Sequence, residues 1–240
     1  VQAVRVEIAH GVDQIKLGVS LRRVATNYDV LAASAGAVRT VRGNLATRGN
    51  PFGEDPAGRT GWAEGLTIRP FTDGMEVLFF GCCYLSYDPR LKKVARAAVE
   101  ILNKAGVNFG VLGTGESCCG ESIRKTGAEK VYRDLARENI KAFIDRGVKK
   151  IVVASPHCYE AFRKDYAEFM VNFEVVHISQ LLLPLIREGR LKITGGCRKK
   201  VTYHDPCYLG RHNGIYDEPR EILRSIPGLT ILEPKQTRDR

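Results

Sequence analysis

The sequence has no long apolar run. Its longest nearly apolar stretch, Val77 to Leu85, covers nine residues, far short of the roughly 20 that a membrane-crossing helix requires. No membrane span is therefore expected in this chain. Methionine is missing from the first position, no signal peptide follows, and the chain stops on Thr237-Arg238-Asp239-Arg240. These ends read as those of a fragment, and we expect a cytoplasmic protein that reaches a membrane only through a partner subunit. No Cys-x-x-Cys pair occurs although the chain holds seven cysteines, so the usual paired zinc knuckles are absent. Dense charge of one sign is scarce too. Despite a formal net charge of +10, the only dense basic run is Cys197-Arg198-Lys199-Lys200, and elsewhere bases accompany acids, as in Arg133, Asp134, Arg137, Glu138 and Lys141. Solvated helix faces account for that pattern better than a nucleic-acid surface, and no nucleic-acid partner is expected.

What is present suffices for a packed core. At 240 residues and 44% hydrophobic content, the chain can fold as one large or two small domains. Residues 1–74 stand apart. Val12 to Leu45 has apolar positions at helical spacing, and the stretch from Gly49 to Gly58 is too rich in Gly and Pro for a regular element. This linker carries the single tryptophan, Trp62, which is placed to pin it to the main body. From Met75 the pattern alternates. Strands are expected at Glu76–Phe80, Phe109–Gly113, Lys150–Ala154 and Glu174–Ile178, with helices at Leu91–Lys104, Ala128–Arg146 and Tyr159–Met170. Short apolar strands between helices of this length argue an α/β fold with a parallel sheet. The cycle restarts with a strand at Lys200–His204, a helix at Pro219–Ser225 and a strand at Leu229–Leu232. Cys207-Tyr208-Leu209 echoes Cys83-Tyr84-Leu85, as a duplicated unit would. We therefore expect two related Rossmann-like lobes, at 75–195 and 196–240, the second cut short.

Six cysteines fall just past the expected strand ends: Cys82 and Cys83, Cys118 and Cys119, Cys158, and Cys207. In a parallel sheet those ends share one edge, where ligand sites collect. Structural disulfides suit small secreted domains rather than a chain of this size with an odd cysteine count. Zinc and an iron–sulfur cluster both use thiolates. The adjacent pair in Glu116-Ser117-Cys118-Cys119-Gly120 favours a multinuclear cluster, because two neighbouring ligands must diverge, and Gly120 allows a sharp turn beneath it. Cys197, outside the strand-end pattern, reads as an inert cysteine. Gly113-Thr114-Gly115 lacks the full glycine pattern of a dinucleotide site. His157, His204 and His212 lie beside cysteines and are candidate second-shell or proton-donating groups, with polar packing as the plainer role.

Phe80-Gly81-Cys82-Cys83, Ser86-Tyr87-Asp88-Pro89-Arg90, Cys118-Cys119-Gly120, Pro156-His157-Cys158-Tyr159 and the run from Tyr203 to His212 together resemble the cysteine-rich CCG domain. That domain occurs in the B-type and D-type chains of heterodisulfide reductase and in related iron–sulfur oxidoreductases. The linker Asn50-Pro51-Phe52-Gly53, with Arg59 and Trp62, resembles that of D-type members. The resemblance implies an oxidoreductase subunit that transfers electrons through a [4Fe-4S] cluster and reduces a disulfide. Its metal ligands would be Cys83, Cys118, Cys119 and Cys158. Ser155 stands where the family has a further cysteine, and Cys82 is an extra thiol that compensates or leaves a four-cysteine site. The cluster is then cubane or noncubane, with Ser155 as an alternative oxygen ligand and zinc as the alternative metal. Cys207 would open a second site. A relay without catalysis is the alternative function, and no catalytic residue is singled out. Expected partners are other redox subunits: ferredoxin-like, flavoprotein, or a membrane cytochrome or quinone subunit.

Overall fold

A computed structural model describes residues 27–235 and 238, with side chains from residue 35 onward. The first helix, α1 (Asn27–Arg48), covers the later part of the helix expected from Val12, whose earlier residues lie outside the described ones. The Gly/Pro-rich linker then does form a regular element. Pro56–Ala63 is a 3-10 helix, with Asp55 as its cap accepting from the Ala57 amide at 2.9 Å. A proline at the start and an Asp cap favour this turn even in a glycine-rich stretch. Trp62 is buried against Phe79, ring centroids 6.3 Å apart, and fastens the linker to the sheet.

The main sheet has four parallel strands in the order β2-β1-β3-β4. They are β1 (Val77–Phe80), β2 (Phe109–Gly110), β3 (Lys150–Val153) and β4 (Glu174–His177). All four residues of β1 are buried. Side chains alternate between the faces of a strand, so both faces of this sheet are covered, and the apolar run without alternation is the result. The helices that cover it are α3 (Lys92–Lys104) and α5 (Glu129–Asp145), with α7 (Ile178–Arg187) packed against β3 and β4. Helix α3 buries Ala95, Ala98, Val99 and Leu102, a stripe at helical spacing. Phe80, Phe143 and Phe162 meet edge to face, with centroids 4.7 to 6.3 Å apart. Each such ring contributes about 2–3 kcal/mol through burial.

Three short helices sit at the strand ends: α2 (Cys83–Tyr87), α4 (Glu121–Arg124) and α6 (Pro156–Glu160). The helix expected over Tyr159–Met170 is broken. After α6 the backbone loosens into a π turn at Ala161–Asp165 and then tightens into a 3-10 turn at Tyr166–Phe169. A second, two-stranded parallel sheet pairs β5 (Lys200–Val201) with β6 (Thr230–Ile231), and α8 (Asp217–Arg224) lies between them in sequence. Strand β5 stops well short of the expected His204, because its one partner offers two residues to pair with. The architecture is α/β with parallel sheets. Among the described residues no helix is long and apolar enough to cross a membrane.

Candidate metal centre

Strands β1, β2 and β3 deliver cysteines to one edge. Past β1, Cys82 takes φ 61° and ψ 148°, a region that residues with a Cβ rarely occupy, and Cys83 opens α2. Such a backbone costs on the order of 1–3 kcal/mol and persists only where the surroundings enforce it. Here the Cys82 carbonyl is held by both the amide and the hydroxyl of Ser86, at 3.1 and 2.9 Å. Past β2, the segment Glu116–Gly120 brings in Cys118 and Cys119, and Gly120 turns at φ 80° into α4. A side chain at Gly120 would also meet the Tyr132 ring at 2.9 Å, so glycine is required twice over. Past β3, Ser155 caps α6 and Cys158 follows.

The sulfurs of five cysteines gather. Cys119 and Cys158 approach to 3.5 Å between sulfurs. Cys83 contacts Cys118, Cys118 contacts Cys119, and Cys158 contacts Cys82. All are free thiols, and all but the half-buried Cys118 are buried. The contacts run in series. Among the described residues no three His, Cys, Asp or Glu side chains are grouped to hold a single metal ion. The two remaining cysteines are elsewhere: Cys197 is half-buried in the turn before β5, and Cys207 is exposed after β5. Ser155 accepts from the Cys158 amide at 3.5 Å, so its oxygen is engaged as a helix cap. His157 meets the Glu121 carboxylate at 3.0 Å and packs on Tyr208, centroids 4.0 Å apart, while His212 stacks on the same ring at 4.5 Å. His204 is exposed.

Residues outside the cysteine motifs hold the group in place. The fully buried Asn139 of α5 donates to the carbonyls of Ser117 and Cys118, at 3.2 and 3.0 Å, and accepts from the Ser117 amide at 3.1 Å. The Tyr166 hydroxyl donates to the Cys119 carbonyl at 3.2 Å. From the linker, the Gly49 carbonyl accepts the Cys118 amide at 2.8 Å. Arg59, 2% exposed, donates to the Glu116 carboxylate at 2.9 Å and to the Cys83 sulfur at 3.5 Å. Glu116 accepts the Gly81 amide at 2.8 Å with its other oxygen. None of these roles is visible in the motifs. Two signals were nonetheless available: Asn139 interrupts the buried stripe Tyr132, Leu135, Ala136, Ile140 and Phe143, and Glu116 is a carboxylate in an apolar stretch.

The thiols differ in acidity. Burial, reinforced by Cys118, pushes Cys83 well up, although Arg59 opposes this. Contact with Cys119 pushes Cys118 and Cys158 up. Cys119 takes the opposite course: Cys118 and Cys158 as donors pull it down to about 7 against the effect of burial. Burial raises Glu116 against the stabilising Arg59 guanidinium and Gly81 amide. Five soft sulfur donors in a buried group, with one guanidinium against them, are a donor set for a thiophilic metal. Deprotonating several of them in this interior needs a positive partner, which a bound metal provides.

The fold and this site define an α/β protein with a multi-cysteine centre at the edge of a parallel sheet. The family model described as the Cysteine-rich domain, CCG, matches residues 77–163 and 201–240, just over half of the chain. The chain belongs to this cysteine-rich domain family, and its relatives include D-type chains of heterodisulfide reductase and iron–sulfur oxidoreductases. It is 44% identical over 195 residues to the EtfAB:quinone oxidoreductase of Syntrophomonas wolfei, covering 78% of this chain and 27% of that protein. It is 37% identical over 205 residues to the probable iron-sulfur-binding oxidoreductase FadF of Bacillus subtilis, covering 82% and 29%. Its identity to the D-type chain of the dihydromethanophenazine:CoB–CoM heterodisulfide reductase of Methanosarcina mazei is 36% over 199 residues, covering 79% and 47%. The chain thus spans from about a quarter to about half the length of these relatives. No solved structure matches it.

Proposed function

We propose that this chain is part of an iron–sulfur subunit of a heterodisulfide-reductase-like oxidoreductase, and that it transfers electrons through a [4Fe-4S] cluster. The observation that carries the reading is the buried group of five free cysteine sulfurs from the ends of three parallel strands. Names of the relatives, an EtfAB:quinone oxidoreductase and a heterodisulfide reductase chain among them, support the redox class and membership of a multi-subunit complex. A cluster there would supply one-electron transfer. The chain's own part is to hold and orient it. Cys83, Cys118, Cys119 and Cys158 act as ligands, and Cys82, beside Cys158, takes the place of a ligand at Ser155, whose oxygen is committed to its helix cap. The serial contact of sulfurs suits a group with several metal atoms better than a lone zinc ion. Within this reading, 75–195 and 196–240 are two related units, with Cys207 opening the second.

Anaerobically purified protein tests the assignment through iron and sulfide analysis with electron paramagnetic resonance. Iron with sulfide and a reducible signal is the expected result, and zinc without iron overturns it. A signal perturbed by an added thiol substrate marks disulfide reduction; an unperturbed cubane signal leaves electron relay as the function. Cys82→Ser is expected to lower iron retention severalfold while Ser155→Ala does not. The reverse order would remove Cys82 from the ligand set.

A further inference from the structure

We propose that Arg59, brought by the linker, is a positioning residue of the metal centre whose guanidinium sets the potential of the cluster at Cys83. This rests on the iron–sulfur reading above. Three observations support it. The side chain is nine-tenths buried or more, yet its Nη2 lies 3.5 Å from the Cys83 sulfur, so the positive charge is spent inside the protein against a ligand. Its Nη1 is oriented by Glu116 at 2.9 Å, and Glu116 is anchored in turn by the Gly81 amide, one residue past β1 and two before Cys83. The Gly49 carbonyl, finally, accepts both Arg59 Nη2 at 3.3 Å and the Cys118 amide at 2.8 Å. One linker carbonyl thereby ties the guanidinium to a second ligand. A segment without cysteines is built into the centre at two of its ligands.

The physical consequence follows from charge. Adding an electron to a thiolate-ligated cluster adds negative charge, and a cation in contact with a ligand sulfur favours the reduced form. The interior's low effective dielectric enlarges the effect. Glu116, held on the other arm of the Arg59 fork, opposes it. A linker fastened merely for stability would make no such difference, and Trp62 already packs it on Phe79 of the sheet.

The test uses the full protein carrying this chain, loaded with iron and sulfide under anaerobic conditions. With arginine labelled by nitrogen-15, the paramagnetic cluster should show nitrogen-15 coupling that Arg59→Lys abolishes. In redox titrations followed by paramagnetic resonance, Arg59→Gln should retain iron and titrate at a lower potential, while Arg59→Lys, which keeps the charge, should return toward the wild-type value. Should Arg59→Gln fail to fold, the labelled wild type and Arg59→Lys still decide. Iron-loaded wild type without the coupling, or an iron-loaded Arg59→Gln at the wild-type potential, overturns the role of Arg59 alone. A wild type that takes up no iron overturns the cluster reading, and this proposal with it.

Discussion

Cys83 and Cys207 begin the same triplet, Cys-Tyr-Leu, and each follows a parallel strand. Cys83 is 2% exposed, touches the Cys118 sulfur and receives the Arg59 guanidinium. Cys207 faces solvent on a turn, outside the sulfur group. What differs is the neighbourhood. Beside β1 stand β2 and β3, whose ends carry Cys119 and Cys158, while among the described residues β5 pairs with β6 alone. The two regions are also held together differently. Around the four-stranded sheet a large apolar core accompanies the buried Arg59–Glu116 pair; around the smaller one Arg220, 1% exposed, is the centre, bonding Asp205 at 2.5 and 2.7 Å and Glu233 at 2.8 and 3.1 Å. The same local triplet is thus set among other cysteine sulfurs in one place and in solvent in the other, according to which strand ends converge on it.

The largest effect should come from the sulfurs themselves. Cys119→Ala is expected to abolish iron binding at the first centre, measured as iron and sulfide per chain, while Cys207→Ala leaves that centre's signal intact. A full signal in Cys119→Ala, or its loss in Cys207→Ala, would break the contrast. Next in size is Arg220→Met, which removes the guanidinium paired with the nearly buried Asp205 carboxylate at a cost of about 3 kcal/mol. The loss should be confined to the small sheet: amide hydrogen exchange speeds up across 200–232 and stays slow across 77–153. Uniform acceleration would show the two regions to be one cooperative unit.

The smallest effect concerns His177, which is buried beside the larger sheet whereas His204 and His212 are exposed. His177, at the end of β4, is 8% exposed, and burial lowers it to about 4 despite its bond to the Ala154 carbonyl. An unfolded histidine titrates near 6.5, so the unfolded chain binds the proton first. Stability is accordingly complete above that value and falls as the pH drops toward 4, by about 2 kcal/mol at pH 5. Denaturation midpoints across pH 7 to 5 should show this slope, and His177→Asn should flatten it. A slope that survives the substitution belongs to another group.

Much of the fold was legible because the buried parallel strands carry apolar runs and the helices between them carry stripes at helical spacing. Strand and helix positions around the first sheet follow that pattern to within a few residues. Less legible were the breaks: the π turn after Cys158 interrupts an otherwise helical pattern, β5 is curtailed by its pairing with β6, and the 3-10 helix in the linker rests on a local proline and Asp cap in a glycine-rich stretch. At the site, the cysteines were readable from type and position. Arg59, Glu116, Asn139 and Tyr166 were not, since each acts through a contact 20 or more residues away.

By itself, then, the sequence determined a parallel α/β protein with cysteines at its strand ends, because hydrophobic periodicity and residue type are local properties. Only the tertiary structure decided which cysteines meet. Strand order brought β1, β2 and β3 side by side and left Cys207 on another sheet. It also brought Cys82 against Cys158, whose amide the Ser155 hydroxyl caps. Proximity among residues far apart in the chain is set by how the sheet is paired and covered, and that is a property of the whole fold.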